Sequence, residues 1–319
     1  WVERDRMFKL PRSSWQDYDV SKISKGGGVF SRGAKSIALS PEIKAALDIS
    51  EDALDPAALM KAILKAPAEL LYLGGIGTYV KAPHETDAQA GDKANDAVRV
   101  DGPELRVKVV GEGANLGLTQ AGRIAFAQAG GRINTDAIDN SAGVDSSDHE
   151  VNIKILTGAA IASGALKQAD RNALLASMTD EVGLKVLVHN YDQTLALTLQ
   201  QSEGAAALDA QQRFMQWLGA KGKLDRKVEG LPDDLKLAEM KASGAVLVRP
   251  ELAVLTAYSK LELFDEIVGS TAPDDPFFHK TLVRYFPGPL AKFDADMERH
   301  RLKREIISTI LSNEIVNMC

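Results

Sequence analysis

The chain carries a single cysteine, Cys319, among 319 residues. That excludes an internal disulfide and any cysteine-based zinc cluster. It also fits a reducing compartment, so a cytoplasmic protein is expected. No run of about 18 apolar residues is present, so no membrane-spanning helix is expected. The opening residues Trp1-Val-Glu-Arg-Asp-Arg6 are charged and polar, and no signal peptide is expected there. Basic blocks are missing too. The formal charge is −6, from 38 basic and 44 acidic side chains, and it is spread evenly, with 19 basic and 22 acidic residues up to Lys154 and the same numbers beyond. Nucleic acid and anionic membrane surfaces both require a concentrated positive face, so neither is an expected partner.

What is present is the composition of an ordinary globular protein, 45% hydrophobic and 26% charged. Its length suits about two domains of ~150 residues. It opens on Trp1 and stops on Asn317-Met-Cys319 with neither turn nor polar tail, so a piece of a longer polypeptide is expected.

The first half alternates short apolar runs with Gly-rich loops. Expected strands are 28–30, Ala68–Leu73, Leu105–Val110 and 132–135, runs of the kind that suit buried parallel strands. Between them, Ser40-Pro41 opens a helix to about Leu47, Asp55-Pro56 opens another, and Thr119 begins a third. The acid-rich stretch from His84 to Asp101 reads as an exposed loop. Beyond Val151 every apolar pattern has helical period, over 152–165, 171–201, 206–218, 233–244, 250–268 and 294 onward. The expected fold is α/β: part of a doubly wound, Rossmann-like parallel sheet over residues 1–150, then an all-helical domain over residues 151–319.

Three glycine segments bear on ligand binding. Gly28-Val-Phe-Ser-Arg-Gly33-Ala-Lys35-Ser36 is not a phosphate-binding P-loop, because Ala34 separates glycine from lysine and no helix start follows. Gly75-Ile-Gly77 lacks the third glycine of a dinucleotide fingerprint, and Tyr79-Val80 continues the extended run. Even so, glycines at a strand's carboxyl end mark a place where α/β sheets bind ligands. Gly111-Glu-Gly113-Ala-Asn115-Leu-Gly117 lies between a strand and a helix start, which suits an anion or a ribose. A tight turn needing positive φ is the competing reading.

The densest polar cluster, 136–150, holds four Asp, Glu150, His149 and three Ser. It lacks the ligand alternation of an EF-hand and any His-Glu-x-x-His pattern, so no metal site is assigned. A solvated interdomain loop and a substrate and cofactor edge both remain open for it. His84, His189, His279 and His300 are isolated, and His189, in an apolar helical stretch, reads as structural. Arg299-His-Arg-Leu-Lys-Arg304 reads as a solvated helix face.

Taken together, Glu112-Gly-Ala-Asn115, the helix after it, and Asn140-Ser-Ala-Gly-Val144 with Ser147 resemble glutamate dehydrogenases. Ser14-Trp-Gln-Asp-Tyr-Asp19, Ile23–Arg32 and Gly74-Gly-Ile-Gly-Thr-Tyr-Val-Lys81 resemble its large-subunit, NAD-specific bacterial branch. The resemblance implies NAD as cofactor and L-glutamate and 2-oxoglutarate as substrate and product. It implies that Gly74 and Gly75 line the cofactor, that Gly113, Ala114 and Asn115 lie along its ribose and nicotinamide, and that Asn140 hydrogen-bonds the carboxamide. Ser147 would meet the substrate's side-chain carboxylate, an assignment that counts seven residues on from Asn140. Asp148-His-Glu-Val151 departs from the aromatic run that follows this serine in compact members. The family's phosphate-binding turn and its catalytic Lys and Asp lie upstream of everything matched, so no catalytic residue is assigned. The further expected partners are the remainder of the polypeptide and copies of itself in a homo-oligomer. Another amino-acid dehydrogenase and a non-catalytic regulatory or oligomerisation module are the alternatives.

Overall fold

Ser40, Asp55 and Thr119 each cap a helix through the side-chain oxygen, which accepts from a backbone amide of the first turn. The computed structural model describes residues 1–318. It divides into two units, Trp1–Ile133 and Asn134–Cys319.

The first unit contains α1 (Val2–Phe8), β1 (Ile37–Ala38), α2 (Pro41–Leu47), β2 (Ala53–Leu54), α3 (Pro56–Leu64), β3 (Leu70–Leu73) and β4 (Val80–Lys81). It continues with α4 (Asp87–Ala90), β5 (Val100–Asp101), β6 (Val109–Glu112) and α5 (Gln120–Gln128). The described strands pair two by two. β1 and β2 are antiparallel, β3 and β6 run parallel with Leu70 beside Val109 and Leu73 beside Glu112, and β4 and β5 are parallel. Leu73, Val80, Val110, Leu118 and Phe126 belong to one core, and Ile37, Leu39 and Leu59 to a smaller one.

The second unit contains α6 (Asp136–Asp139), α7 (Ser141–Ala162), α8 (Arg171–Ala176), α9 (Thr179–Glu203), α10 (Leu208–Ala220) and α11 (Asp234–Ser243). After these come α12 (Arg249–Gly269), α13 (His279–Tyr285), α14 (Asp294–Glu298) and α15 (Lys303–Met318). Two cores serve it. One gathers Ile138, Leu197, Met215, Leu237 and Leu252, and the other Leu156, Met178, Leu282, Met297 and Ile307. Among the described residues no helix is long and apolar enough to cross a membrane.

Several expectations are corrected. Residues 28–30 are irregular, and Val29 and Phe30 are exposed, because two apolar residues among glycines find no partner strand among the described residues. The expected 105–110 strand begins only at Val109: Leu105 and Val107 are buried without pairing, so burial alone explains their apolar character. Residues 132–135 contribute one bridge, from Arg132 to Val109. Within 84–101 lie α4, a 3₁₀ stretch and β5, organised around Arg99. Its guanidinium donates to the Thr78 and Asp92 carbonyls and pairs with Asp87 and Asp96. The 136–150 segment is helical on both sides of a turn at Asn140 rather than a loop. Arg299–Arg304 is no helix face either: it contains the break between α14 and α15, where buried His300 accepts from the Leu302 amide.

Candidate functional site

The residues Gly74-Gly75 follow β3 directly, and Gly113-Ala114-Asn115 follow β6. Because these strands are parallel neighbours in register, both glycine segments emerge side by side at one carboxyl edge. The Ala114 amide donates to the Leu73 carbonyl and links the two strand ends. Gly74, Gly75 and Asn115 are exposed, and nothing lies within 4 Å of where a Gly75 Cβ would stand. Backbone here is open to a ligand.

The turn after β6 is held from below. Glu112 is fully buried and accepts from Arg123 Nε at 2.6 Å, Arg123 Nη2 at 2.9 Å and the Leu118 amide at 3.2 Å. The first residue of the Glu-Gly-Ala-Asn segment is therefore structural. A Cβ at Gly113 would overlap the Tyr72 hydroxyl and ring, and one at Gly117 would stand 2.5 Å from Leu73 Cδ1. Leu116, between them, adopts φ 63°, and its carbonyl accepts from Thr78 Oγ1 at 2.8 Å. Leu70, Tyr72 and Val109 leave one face of the β3–β6 pair exposed.

Asn140 and Ser147 belong to the second unit. Asn140 joins α6 to α7 at φ −103°, ψ 16°. The Ser141 hydroxyl accepts from Asn190 Nδ2 at 2.9 Å and Gln193 Nε2 at 2.7 Å, both on α9, and Asn190 Nδ2 also donates to the Ile138 carbonyl. Ile138 itself is buried in a core. Arg249, at the start of α12, donates to Asn134 Oδ1 and Thr198 Oγ1, and Asn134 Nδ2 donates to Asp139. These contacts fix the entry into α7. Sequence reading missed Asn190, Gln193 and Arg249; the two amides about one turn apart on α9 were the available signal. Ser147 is exposed, and its hydroxyl donates to the Gly143 carbonyl one turn earlier.

The other side of α7 carries the largest departure from expectation. Asp145 Oδ2 lies 2.8 Å from His189 Nδ1 and Asp145 Oδ1 lies 3.7 Å from His149 Nε2. His149 is fully buried, stacked on Tyr285 at 4.5 Å between ring centroids and near His189 at 5.9 Å. Among the described residues neither of its ring nitrogens has a hydrogen-bond partner. Burial pushes the His149 imidazole below its ordinary pKa and outweighs the pull of Asp145. Burial also lifts the Tyr285 phenol to about 12, and its hydroxyl accepts from Asn152 Nδ2. His189, expected to be structural, is half exposed and joined to Asp145.

Comparison with known proteins follows from these features. Residues 1–200 match the family described as Bacterial NAD-glutamate dehydrogenase, catalytic domain, and residues 244–319 match Glutamate dehydrogenase, C-terminal. A Pseudomonas aeruginosa protein named NAD-specific glutamate dehydrogenase is 54% identical over 99% of this chain and 20% of its own length. Proteins of the same name from Halomonas elongata and Mycobacterium tuberculosis are 48% and 47% identical, each again over 99% of this chain and 20% of its own. The chain thus spans about a fifth of the length of these relatives.

Proposed function

The chain belongs to the bacterial NAD-glutamate dehydrogenase family, and from that premise we propose that it carries the cofactor-binding half of an enzyme oxidising L-glutamate. The reaction converts L-glutamate, NAD⁺ and water to 2-oxoglutarate, ammonium, NADH and a proton. Bound NAD supplies the hydride acceptor. The chain's own task is to bind, orient and exclude alternatives, as a protein does when the cofactor brings the chemistry.

One observation carries this reading: the two glycine segments stand side by side at the carboxyl edge of an in-register parallel pair, where doubly wound sheets hold ligands. It supports taking β3 and β6 as part of a Rossmann-like sheet. Gly74 and Gly75 offer bare backbone to the dinucleotide, and Gly113, Ala114 and Asn115 run along its ribose and nicotinamide. Tyr72, lying over Gly113, borders the same space. Asn140 holds the carboxamide and so selects the ring face presented. Ser147 receives the substrate's side-chain carboxylate. It stands seven residues on from Asn140.

An exposed apolar stripe on α9 (Leu184, Leu187, Val188, Tyr191, Leu195 and Leu199) supports burial against the rest of the polypeptide or a second copy in an oligomer. The lone cysteine supports a cytoplasmic setting.

The test is turnover by the full-length protein. Asn140→Ala should lower glutamate-dependent NADH production about 100-fold or more, since small misplacements at the reacting centre cost that much. Leucine and phenylalanine should be poor substrates for the wild type. Unchanged turnover in Asn140→Ala would overturn the assignment of that residue, and preference for leucine or phenylalanine would overturn the substrate. Because no lysine here inherits the catalytic role, the isolated chain should give no glutamate-dependent NADH.

A further inference from the structure

A fully buried imidazole with neither nitrogen hydrogen-bonded among the described residues is an anomaly. A desolvated polar group left without a hydrogen bond is costly, and such groups in folded proteins call for a specific explanation, an ion among them. His149 is that group. Around it, one atom each from Asp145, His149 and His189 lie within 4.8 Å of one another. From this the geometry points to a binding site for a borderline divalent cation of the zinc, cobalt or nickel class, held by His149 and His189 through ring nitrogens and by Asp145 through its carboxylate.

The helices supply the arrangement. Asp145 and His149 are four residues apart on α7 and therefore share a face. His189 comes from α9, which packs along α7. Zinc sits about 2.0–2.2 Å from nitrogen and carboxylate ligands, which puts tetrahedral ligands ~3.3 Å apart. The distances found, 2.8 Å from His189 Nδ1 to Asp145 Oδ2 and 3.7 Å from His149 Nε2 to Asp145 Oδ1, lie on either side of that spacing, and one ligand atom from each residue falls within 4.8 Å of the others. The donor set is selective as well. Two imidazoles and one carboxylate suit zinc, cobalt and nickel, whereas magnesium and calcium prefer all-oxygen shells. His149 is available as the neutral imidazole that ligation needs. Lys185 is the nearby opposing charge; its ammonium donates to the Arg284 carbonyl. Three protein ligands would leave a fourth position open, as in zinc sites that exchange water for another ligand.

The site does not depend on the proposed dehydrogenase reading, and its test reads metal directly. The full-length protein, freed of metal by chelator, is titrated with cobalt(II) and then zinc(II). The wild type should show visible cobalt bands of tetrahedral intensity, bleached by zinc. His189→Ala, at a half-exposed position, should lose those bands. His149→Phe, which keeps the ring stack on Tyr285, should lose them too. Loss of an outer-shell partner alone weakens metal sites 10–100-fold, so removal of either ligand should weaken zinc binding by at least about 100-fold. Zinc should raise the melting temperature of the wild type but not of His189→Ala, and magnesium should raise neither. Equal cobalt spectra and zinc affinity in wild type, His189→Ala and His149→Phe would overturn the site, and so would a wild type that binds no zinc or cobalt at all.

Discussion

Glu112 and Arg123 meet as a two-point ion pair shut off from water, with Nε–Oε2 at 2.6 Å and Nη2–Oε1 at 2.9 Å. Because the same carboxylate also takes the Leu118 amide, one buried acid ties β6, the Gly113–Gly117 turn and α5 together. The backbone offered to a ligand after β6 thus rests on a charge pair beneath it.

Breaking that pair from one side leaves the other charge buried and uncompensated, at a cost of about 3–5 kcal/mol. Glu112→Ala and Arg123→Ala should each lower stability by that order in urea denaturation. The double replacement Glu112→Leu/Arg123→Met should cost far less than the two single losses added together. Strict additivity would show that the two side chains are not coupled.

Two glycines of the same turn should respond differently to alanine. At Gly113 the obstacle is the outer end of Tyr72, a residue 65% exposed, whose ring can turn outward at little cost. Gly113→Ala should therefore cost under about 1 kcal/mol. At Gly117 the obstacles are Leu73 and the Glu112 carboxylate, both buried, so Gly117→Ala should cost about 1–3 kcal/mol, as overpacking does. Urea midpoints of the two variants check the order, and a Gly113→Ala loss larger than that of Gly117→Ala contradicts it.

The Asn140 bend should depend on Ser141 as a positioning residue. Its hydroxyl accepts from Asn190 and Gln193. Ser141→Ala removes that acceptor and should lower kcat of the full-length protein with glutamate about tenfold. Ser141→Thr keeps the hydroxyl and should restore most of the rate. A purely structural role would lower the melting temperature of Ser141→Ala and leave kcat per folded molecule unchanged.

Legibility in the sequence followed the range of the forces involved. Caps act within four residues, and Ser40, Asp55 and Thr119 each begin the helix expected of them. Strand limits depend on partners distant in sequence. Leu105 and Val107 are as apolar as Val109 and Val110, and only pairing with β3 separates them. The polar 136–150 segment reads as loop because Gly143, three serines and four aspartates favour caps and turns. Tertiary contacts to α9 and the Ile138 anchor override that local preference. The Asp145–His149–His189 cluster was hidden for the same reason, since His189 lies 40 residues beyond His149. Gly74, Gly75 and Gly113–Asn115 were found as separate glycine turns, and the in-register pairing that sets them side by side appears only in the fold.

Glu251, in the first turn of α12, gives the chain a built-in acid preference. The residue is 4% exposed, and burial lifts its carboxyl pKa from 4.5 to about 7 despite the Val248 amide donating to it at 2.8 Å. Between these two values the folded chain keeps a proton that the unfolded chain releases. The stabilising contribution is therefore complete below pH 4.5 and is lost progressively as pH rises to 7, by about 3 kcal/mol in all. Lys260 acts in a higher window: burial lowers its pKa to about 8 against the pull of Asp192, so its contribution rises from pH 8 upward. Glu251→Gln preserves an oxygen for the Val248 amide and removes the ionisation. Urea midpoints should agree closely for wild type and Glu251→Gln at pH 4.5, while at pH 7.5 the variant should be the more stable by about 2–3 kcal/mol. A difference that stays the same at both pH values would mean that the Glu251 carboxyl does not titrate in this range.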